Sequence, residues 1–154
     1  MSNASGDHEV TARWERKRWV DFKHNLSQVS QSNPFQQKHF LALKSSNEWD
    51  CFEDFIRDCP FTEKQELARD REEHPPYGTN LTFPISEYKK FNQTSGTQGK
   101  PMAWIDTMED WKWMLGNWDR VLEAAGVHPG AHCFFAFSFG PFLGFWTAYE
   151  AASQ

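Results

Sequence analysis

The sequence predicts an α/β fold in which helices come first, a β-hairpin follows, and the opening βα units of a larger sheet come last. Three patterns lead to this prediction. Apolar residues recur at helical spacing in the first half, two short strand patterns flank a loop that contains glycine, and a continuous apolar run lies at 133–137. We therefore expect a tail at 1–12, a helical region at 13–76 and the start of an α/β domain at 77–154.

The composition is that of a folded protein and excludes several classes of function. The chain has 154 residues, a net charge of -5 and 16% aromatic residues. The aromatic content excludes a fully disordered chain, and the acidic balance predicts no surface for nucleic acid. Because the sequence contains no run of 18 apolar residues, no signal sequence and no C-x-x-C pair, we expect a cytoplasmic protein with reduced thiols and no membrane span.

Three helices are predicted before Pro60. Apolar residues three or four positions apart form one face of the first helix, and the polar run that follows ends it. The third helix carries an aromatic stripe that begins with Trp49. The predicted bounds are 14–30, 36–45 and 47–58.

A fourth helix is predicted at 63–73. Thr62 followed by Gln65 matches a capping box, in which two side chains satisfy N–H groups at the start of a helix. Glutamate and arginine surround this helix, so we expect its charged residues to form a solvated face. Two prolines after His74 end the helix.

A β-hairpin is predicted next. Residues 88–93 have a strand pattern, and a second strand starts near Met102 and ends near Asp106. The residues between the two strands, 94–101, include two glycines with serine and threonine, which favour a turn.

The strongest helical pattern follows at 108–125. Thr107 and Asp110 predict a cap at its start, and Gly126 predicts its end. The tryptophans on its apolar face are more simply explained by core packing than by a platform for stacking sugars or bases, whereas Trp113 lies off that face. The apolar face consists of Met108, Trp111, Leu115, Trp118, Leu122 and Ala125.

The apolar run 133–137 predicts a strand that is buried on both faces, and a last helix begins at Phe142. His128, His132 and Cys133 lie close together in the sequence. A proline and a glycine between the two histidines prevent the helical face that would bring these side chains together, so we expect no metal ligands here.

The loop at 94–101 is the segment whose composition points to chemistry. Gly96 and Gly99 permit close approach of the backbone to a ligand, and successive N–H groups in such a loop can bind an anion. Ser95 and Thr97 add hydroxyl groups, and Lys100 adds a positive charge suited to phosphate. The spacing does not match a Walker A loop, and composition alone favours an ordinary polar hairpin loop over a phosphate site.

Four segments together resemble the AMP-forming adenylate ligases, in their phenylacetate–coenzyme A ligase and coenzyme F390 synthetase branch. Residues 94–101 (TSGTQGKP) resemble the family's phosphate loop, TSGTTGKP, with Gln98 in place of the second threonine. Residues 59–67 (CPFTEKQEL), 125–130 (AGVHPG) and 137–144 (FSFGPFLG) are similar to further segments of that branch. Ala131 stands where the branch commonly has aspartate.

The resemblance implies an adenylate-forming ligase large domain and a two-step reaction. ATP and a small, aromatic or related carboxylic acid would form an acyl-adenylate with Mg²⁺, and coenzyme A would then accept the acyl group. Phe139 and Phe142 would line the acyl pocket, and Lys100 would be the catalytic residue of the loop. The residues implied in binding the ATP phosphates are Thr94, Ser95, Gly96, Thr97, Gly99 and Lys100.

The resemblance covers only the N-terminal part of such ligases. The family's adenine-binding segment, magnesium-coordinating glutamate, ribose-binding aspartate and C-terminal lysine have no counterpart in the sequence. We therefore expect the chain to need a C-terminal remainder and to lack ligase activity alone. The alternative is a free-standing, non-catalytic remnant that binds nucleotide phosphate or a partner protein.

Overall fold

The computed structural model describes residues 4–42, 49–94 and 101–154. The chain divides into two compact units, Met1–Phe83 and Pro84–Gln154. The first unit is helical, and the second combines a β-hairpin with two helices. The predicted α/β class and the order of helices before the hairpin are thus present.

The described residues of the first unit form four helices. The predicted helices are all present, but the first begins well before Trp14 and the third begins later than expected. Part of the predicted second and third helices falls at 43–48, outside the described residues. The observed helices are α1 (Ala4–Ser32), α2 (Pro34–Ala42), α3 (Phe52–Asp58) and α4 (Lys64–Glu73).

Aromatic side chains pack α1 against α3. The Trp19 ring lies 4.9 Å from the ring of Phe52, and Phe22 lies 4.8 Å from Phe55. Trp49, which precedes α3 rather than lying in it, packs edge-on against Phe55 at 5.1 Å. Edge-to-face aromatic pairs of this kind each add about 1 kcal/mol to the stability gained from burial.

The predicted cap of α4 at Thr62 is wrong by one residue. Glu63 is the N-cap, and its backbone N–H donates to the carboxylate of Glu66 at 2.7 Å. A carboxylate accepts a stronger hydrogen bond than the amide of Gln65 would, and its negative charge is favoured at the N-terminus of a helix. These two effects explain why the box forms one residue later than predicted.

The charged face of α4 is solvated except at Arg71, which is half-buried, and at Asp70, which is only 5% exposed. Its carboxylate accepts hydrogen bonds from the backbone N–H and the hydroxyl of Thr79, both at 2.6 Å. Gly78 precedes Thr79 with φ +79°, and a Cβ there would collide with the Asp70 carboxylate. The buried Asp70 carboxylate therefore ties the chain after α4 to the helix, together with the hydrogen bond from Arg71 to the carbonyl of Tyr77.

The second unit begins with a short 3₁₀ helix (Ile85–Glu87), which leads directly into the predicted antiparallel hairpin. Strand β1 (Tyr88–Gln93) pairs with β2 (Ala103–Thr107), with Phe91 opposite Ile105 and Gln93 opposite Ala103. Helix α5 (Met108–Ala124) follows without a connecting residue, and α6 (Leu143–Ala152) is the last element.

The ends of α5 confirm both sequence signals. The Thr107 hydroxyl accepts a hydrogen bond from the backbone N–H of Asp110 at 3.1 Å, and the Asp110 carboxylate accepts from the backbone N–H of Thr107 at 3.2 Å. Gly126, just after the helix, has φ +74°, which glycine adopts without strain.

The core of the second unit lies between α5 and α6. Trp111 is 1% exposed and packs with Leu115 and Ala151, and Trp118 packs against this cluster. The indole N–H of Trp118 donates to the hydroxyl of Thr147 at 2.9 Å. Core packing is therefore the role of the tryptophans on this face, as the spacing predicts, while Trp113 is exposed.

The predicted buried strand at 133–137 is wrong. These residues are not paired in a sheet, and Phe134 is 92% exposed. A strand buried on both faces needs a hydrogen-bonding neighbour and covering layers on each side. Among the described residues, the hairpin is the only sheet, so the apolar run has no strand to pair with.

Candidate functional site

Thr94 closes the hairpin at the start of the predicted phosphate loop. Its backbone N–H donates to the carbonyl of Met102 at 3.0 Å, and its hydroxyl accepts from the Met102 N–H at 2.9 Å. A hydroxyl that accepts here keeps its own hydrogen to donate to a ligand. Both ends of the loop are thereby joined. Of the predicted phosphate-binding residues, Ser95, Gly96, Thr97, Gly99 and Lys100 lie outside the described residues.

Phe139 and Phe142, the predicted acyl-pocket residues, flank a turn before α6. Phe139 is 74% exposed, and its ring lies 4.9 Å from Phe145 and 5.9 Å from Trp146. Phe142 is half-buried at the N-cap of α6. The Phe139 ring therefore belongs to an aromatic cluster at the start of α6 and presents most of its surface to solvent, whereas the Phe142 ring lies next to Gly140.

The turn between these two phenylalanines lies against the hairpin. The backbone N–H of Gln93 donates to the carbonyl of Pro141 at 2.6 Å. The indole N–H of Trp146 donates to the carbonyl of Gly140 at 2.9 Å. The structure thus brings the residue before Thr94 into contact with the aromatic turn. No local pattern in the sequence indicates this contact, because the partners are far apart in the chain.

An ion pair joins β1 to both helices of this unit. The Lys90 ammonium lies 2.7 and 2.9 Å from Oε1 and Oε2 of Glu150, and Oε2 also accepts the indole N–H of Trp111 at 2.7 Å. The same ammonium lies 4.5 Å from the centre of a Trp111 ring, where a cation is attracted to the aromatic face. These contacts fix the side of β1 that faces α5 and α6.

A second polar pair joins β1 to β2. Asn92 is 2% exposed, and its amide donates to the Asp106 carboxylate at 3.2 Å. Burial raises the pKa of Asp106, the nearby Asp110 charge raises it further, and the hydrogen bond from Asn92 partly opposes both. Alternation along β1 therefore places Lys90 and Asn92 inward and leaves Phe91 half exposed. This is the reverse of the usual apolar-inward pattern.

No group of three His, Cys, Asp or Glu side chains is arranged as a metal site within residues 4–42, 49–94 and 101–154. His128, His132 and Cys133 are all exposed. Across the same ranges, no helix combines the length and the apolar sequence that a membrane span requires.

Solved structures of 2-hydroxyisobutyryl-CoA ligase have the same fold as this chain. The enzyme in the postadenylation state with 2-HIB-AMP matches with a TM-score of 0.83 and 23% identity over 92% of this chain. The enzyme with 2-HIB-AMP and CoA in the thioesterification state matches with a TM-score of 0.84 and 24% identity, again over 92%. No protein-family model and no curated protein matches the sequence.

The match covers only part of those enzymes. The chain spans 30% of the ligase in both states and 33% of an open conformation with 2-HIB-AMP and CoA. These matches confirm the prediction of this fold. The chain has the fold of the matching part of 2-hydroxyisobutyryl-CoA ligase.

Proposed function

We propose that the chain is the N-terminal part of an AMP-forming acid–coenzyme A ligase, and that the hairpin presents its ATP phosphate loop. One observation carries this proposal. The segment TSGTQGKP lies between the two strands of a closed hairpin, and that hairpin contacts an aromatic turn in a fold shared with an acid–CoA ligase.

The proposed reaction has two steps. A carboxylate oxygen of the acid attacks the α-phosphorus of ATP, and the bond to pyrophosphate breaks. The thiolate of coenzyme A then attacks the acyl carbon, and the bond to AMP breaks. The loop contributes positioning and charge compensation, because its backbone N–H groups, the hydroxyl of Thr94 and the ammonium of Lys100 would hold the β- and γ-phosphates.

The acid in this proposal is aromatic or related in shape, as in the phenylacetate–coenzyme A ligase branch. Two contacts support an aromatic wall. Phe139 exposes most of its ring beside Trp146, and the Phe142 ring covers Gly140 so closely that a Cβ there would collide with it. A planar acid could stack on the exposed face of Phe139.

Mg²⁺ would offset the charge of the ATP phosphates in such a reaction. The described residues contain no cluster of acidic side chains that fits the ion. We therefore assign no Mg²⁺ ligand among the described residues and derive no step through the ion. The groups that would bind adenine, ribose and the metal belong to the proposed remainder of the ligase.

The test is a lysine substitution in the full-length product of the reading frame that carries this chain. We expect Lys100→Ala to slow acid-dependent release of pyrophosphate by about 100-fold, because the variant loses the positive charge that would stabilise the leaving pyrophosphate. Lys89→Ala is the matched control. Its ammonium is on the same hairpin but is exposed and bonds only locally, to the carbonyl of Ser86 at 2.6 Å.

Three outcomes contradict the proposal: an unchanged rate in Lys100→Ala, an equal loss in both variants, or no acid-dependent pyrophosphate release by the unmodified protein. The proposed acid class is tested separately by comparing aromatic with short aliphatic acids in the same assay. A clear preference for short aliphatic acids would reject the aromatic pocket and leave the ligase assignment standing.

A further inference from the structure

The open edge of β1 carries an unusual contact. N–H groups alternate sides along a strand. The Thr94 N–H points toward β2, where it bonds to Met102, and the Gln93 N–H therefore points away from β2. That outward N–H donates to the carbonyl of Pro141 at 2.6 Å. The last residue of β1 is consequently held on both sides, by β2 and by the turn before α6.

Trp146 holds the Gly140–Pro141 turn in place. The indole N–H of Trp146 and the backbone N–H of Phe142 both donate to the carbonyl of Gly140, at 2.9 and 2.8 Å. Gly140 also has no room for a Cβ beneath the Phe142 ring. The position of the carbonyl at Pro141 is therefore set by one side-chain hydrogen bond and one glycine.

The same indole supports the predicted acyl pocket. Its ring lies 5.9 Å from the ring of Phe139 and 5.1 Å from that of Phe145. One side chain thus contacts the aromatic wall through its ring and the hairpin end through the Gly140–Pro141 turn.

We propose that Trp146 is a positioning residue, which holds the Gly140–Pro141 turn against Gln93 and so sets the aromatic wall relative to the start of the phosphate loop. The inference rests on the proposed function, in which an acid on that wall must meet the α-phosphate of an ATP held by the loop. Misplacing reacting groups by about 1 Å lowers the rate of such a step far more than it weakens binding.

The first test measures the contact itself in the 154-residue chain. Trp146→Phe keeps an aromatic ring and removes the N–H, and we expect hydrogen exchange of the Gln93 amide to accelerate about fivefold. Trp118→Phe is the matched control. It also removes an indole hydrogen bond to α6, the one to Thr147 at 2.9 Å, but does not touch the turn, so Gln93 exchange should not change.

The second test measures the consequence in the full-length protein. Trp146→Phe should lower kcat for acyl-adenylate formation about tenfold while the KM values for ATP and acid change less than about threefold. Trp118→Phe should leave kcat unchanged, although it removes a comparable buried bond. If Trp146→Phe fails to fold by circular dichroism, Gly140→Ala replaces it, because the added Cβ displaces the Phe142 ring from the same turn.

The outcomes separate this inference from the proposed function. Equal Gln93 exchange in the two tryptophan variants, or equal kcat values, overturns the positioning role while ligase activity stands. An unmodified protein without acid-dependent pyrophosphate release removes the proposed function and the positioning role with it, even where the Gln93 contact is confirmed.

Discussion

Asp70 is a residue whose role in the fold depends on its charge. Burial alone would raise the pKa of Asp70, but hydrogen bonds from Thr79 and the positive charges of His74 and Lys38 outweigh burial, and the pKa lies below its ordinary value of 3.8. The ionised form is therefore the one that the folded state favours.

We expect Asp70→Asn to destabilise the segment after α4 by about 2 kcal/mol at pH 7, because two hydrogen bonds to a charged acceptor are weakened. Hydrogen exchange of the Thr79 amide, which donates to Asp70, should accelerate by about thirtyfold. Glu72→Gln, an exposed change on the same helix, is the control. Similar exchange in the two variants would contradict this role of Asp70.

The pH dependence of this contribution has a definite sign. A carboxylate with a lowered pKa stabilises the folded state fully above its unfolded pKa, and the contribution is lost as the pH falls through the folded pKa. The difference in stability of this segment between the parent chain and Asp70→Asn should therefore have its full size at pH 6 and decrease below about pH 4. A difference that grows as the pH falls would be inconsistent with the lowered pKa.

Residue contacts at the candidate site were the least predictable part of the molecule. The sequence identified Thr94, Phe139 and Phe142 as candidates, but it did not identify the pairing of Lys90 with Glu150, which are 60 positions apart. Gln93 and Pro141 are similarly distant. Hydrophobic periodicity and composition report on residues that are close together in the sequence. Contacts between residues that are far apart in the sequence therefore leave no local pattern.

At the scale of elements, local signals sufficed where the element is stabilised locally. The bounds of β1 and the start of α5 were predicted correctly because a strand pattern and a capping box are complete within a few residues. The strand predicted at 133–137 failed because a strand depends on partners elsewhere in the chain. The cap of α4 differed by one residue because two overlapping boxes compete and the carboxylate accepts more strongly.

The capping box of α5 gives a prediction at this scale. Thr107→Ala removes the hydroxyl that accepts the N–H of Asp110, and should destabilise α5 by about 1 kcal/mol. Amide exchange in the first two turns of α5 should then accelerate about fivefold. Thr107→Ser retains the hydroxyl and should exchange like the parent chain. Equal acceleration in both variants would show that the threonine methyl, rather than the cap, stabilises this end.

At the scale of the whole molecule, three neighbouring phenylalanines before α6 expose most of their surface. Phe134, Phe137 and Phe139 are 92%, 63% and 74% exposed and lie within six residues of one another. Large exposed apolar patches usually mark surfaces that another part of a protein covers. In the proposed ligase, the remainder of the large domain would supply that cover, whereas a free-standing binding protein would have to tolerate the exposure.

We expect the 154-residue chain to bind a hydrophobic fluorescent dye and to associate at high concentration. Replacing Phe134 and Phe137 together by serine should reduce dye fluorescence severalfold without lowering the helical content. Phe61→Ser is the control, because Phe61 is 90% exposed but lies outside this segment. A parent chain that binds no dye and unfolds in one sharp transition would favour the free-standing alternative.

The junction between β2 and α5 has a mechanical consequence. Thr107 is both the last residue of the strand and the cap of the helix, so no linker with free dihedral angles separates the two. The hairpin and α5 are therefore directly coupled, and we expect a tilt of the hairpin at its loop end to rotate α5 as well. A residue inserted between β2 and α5 would uncouple the hairpin from the helix. Lengthening the exposed segment that follows Gly126 would leave the two coupled.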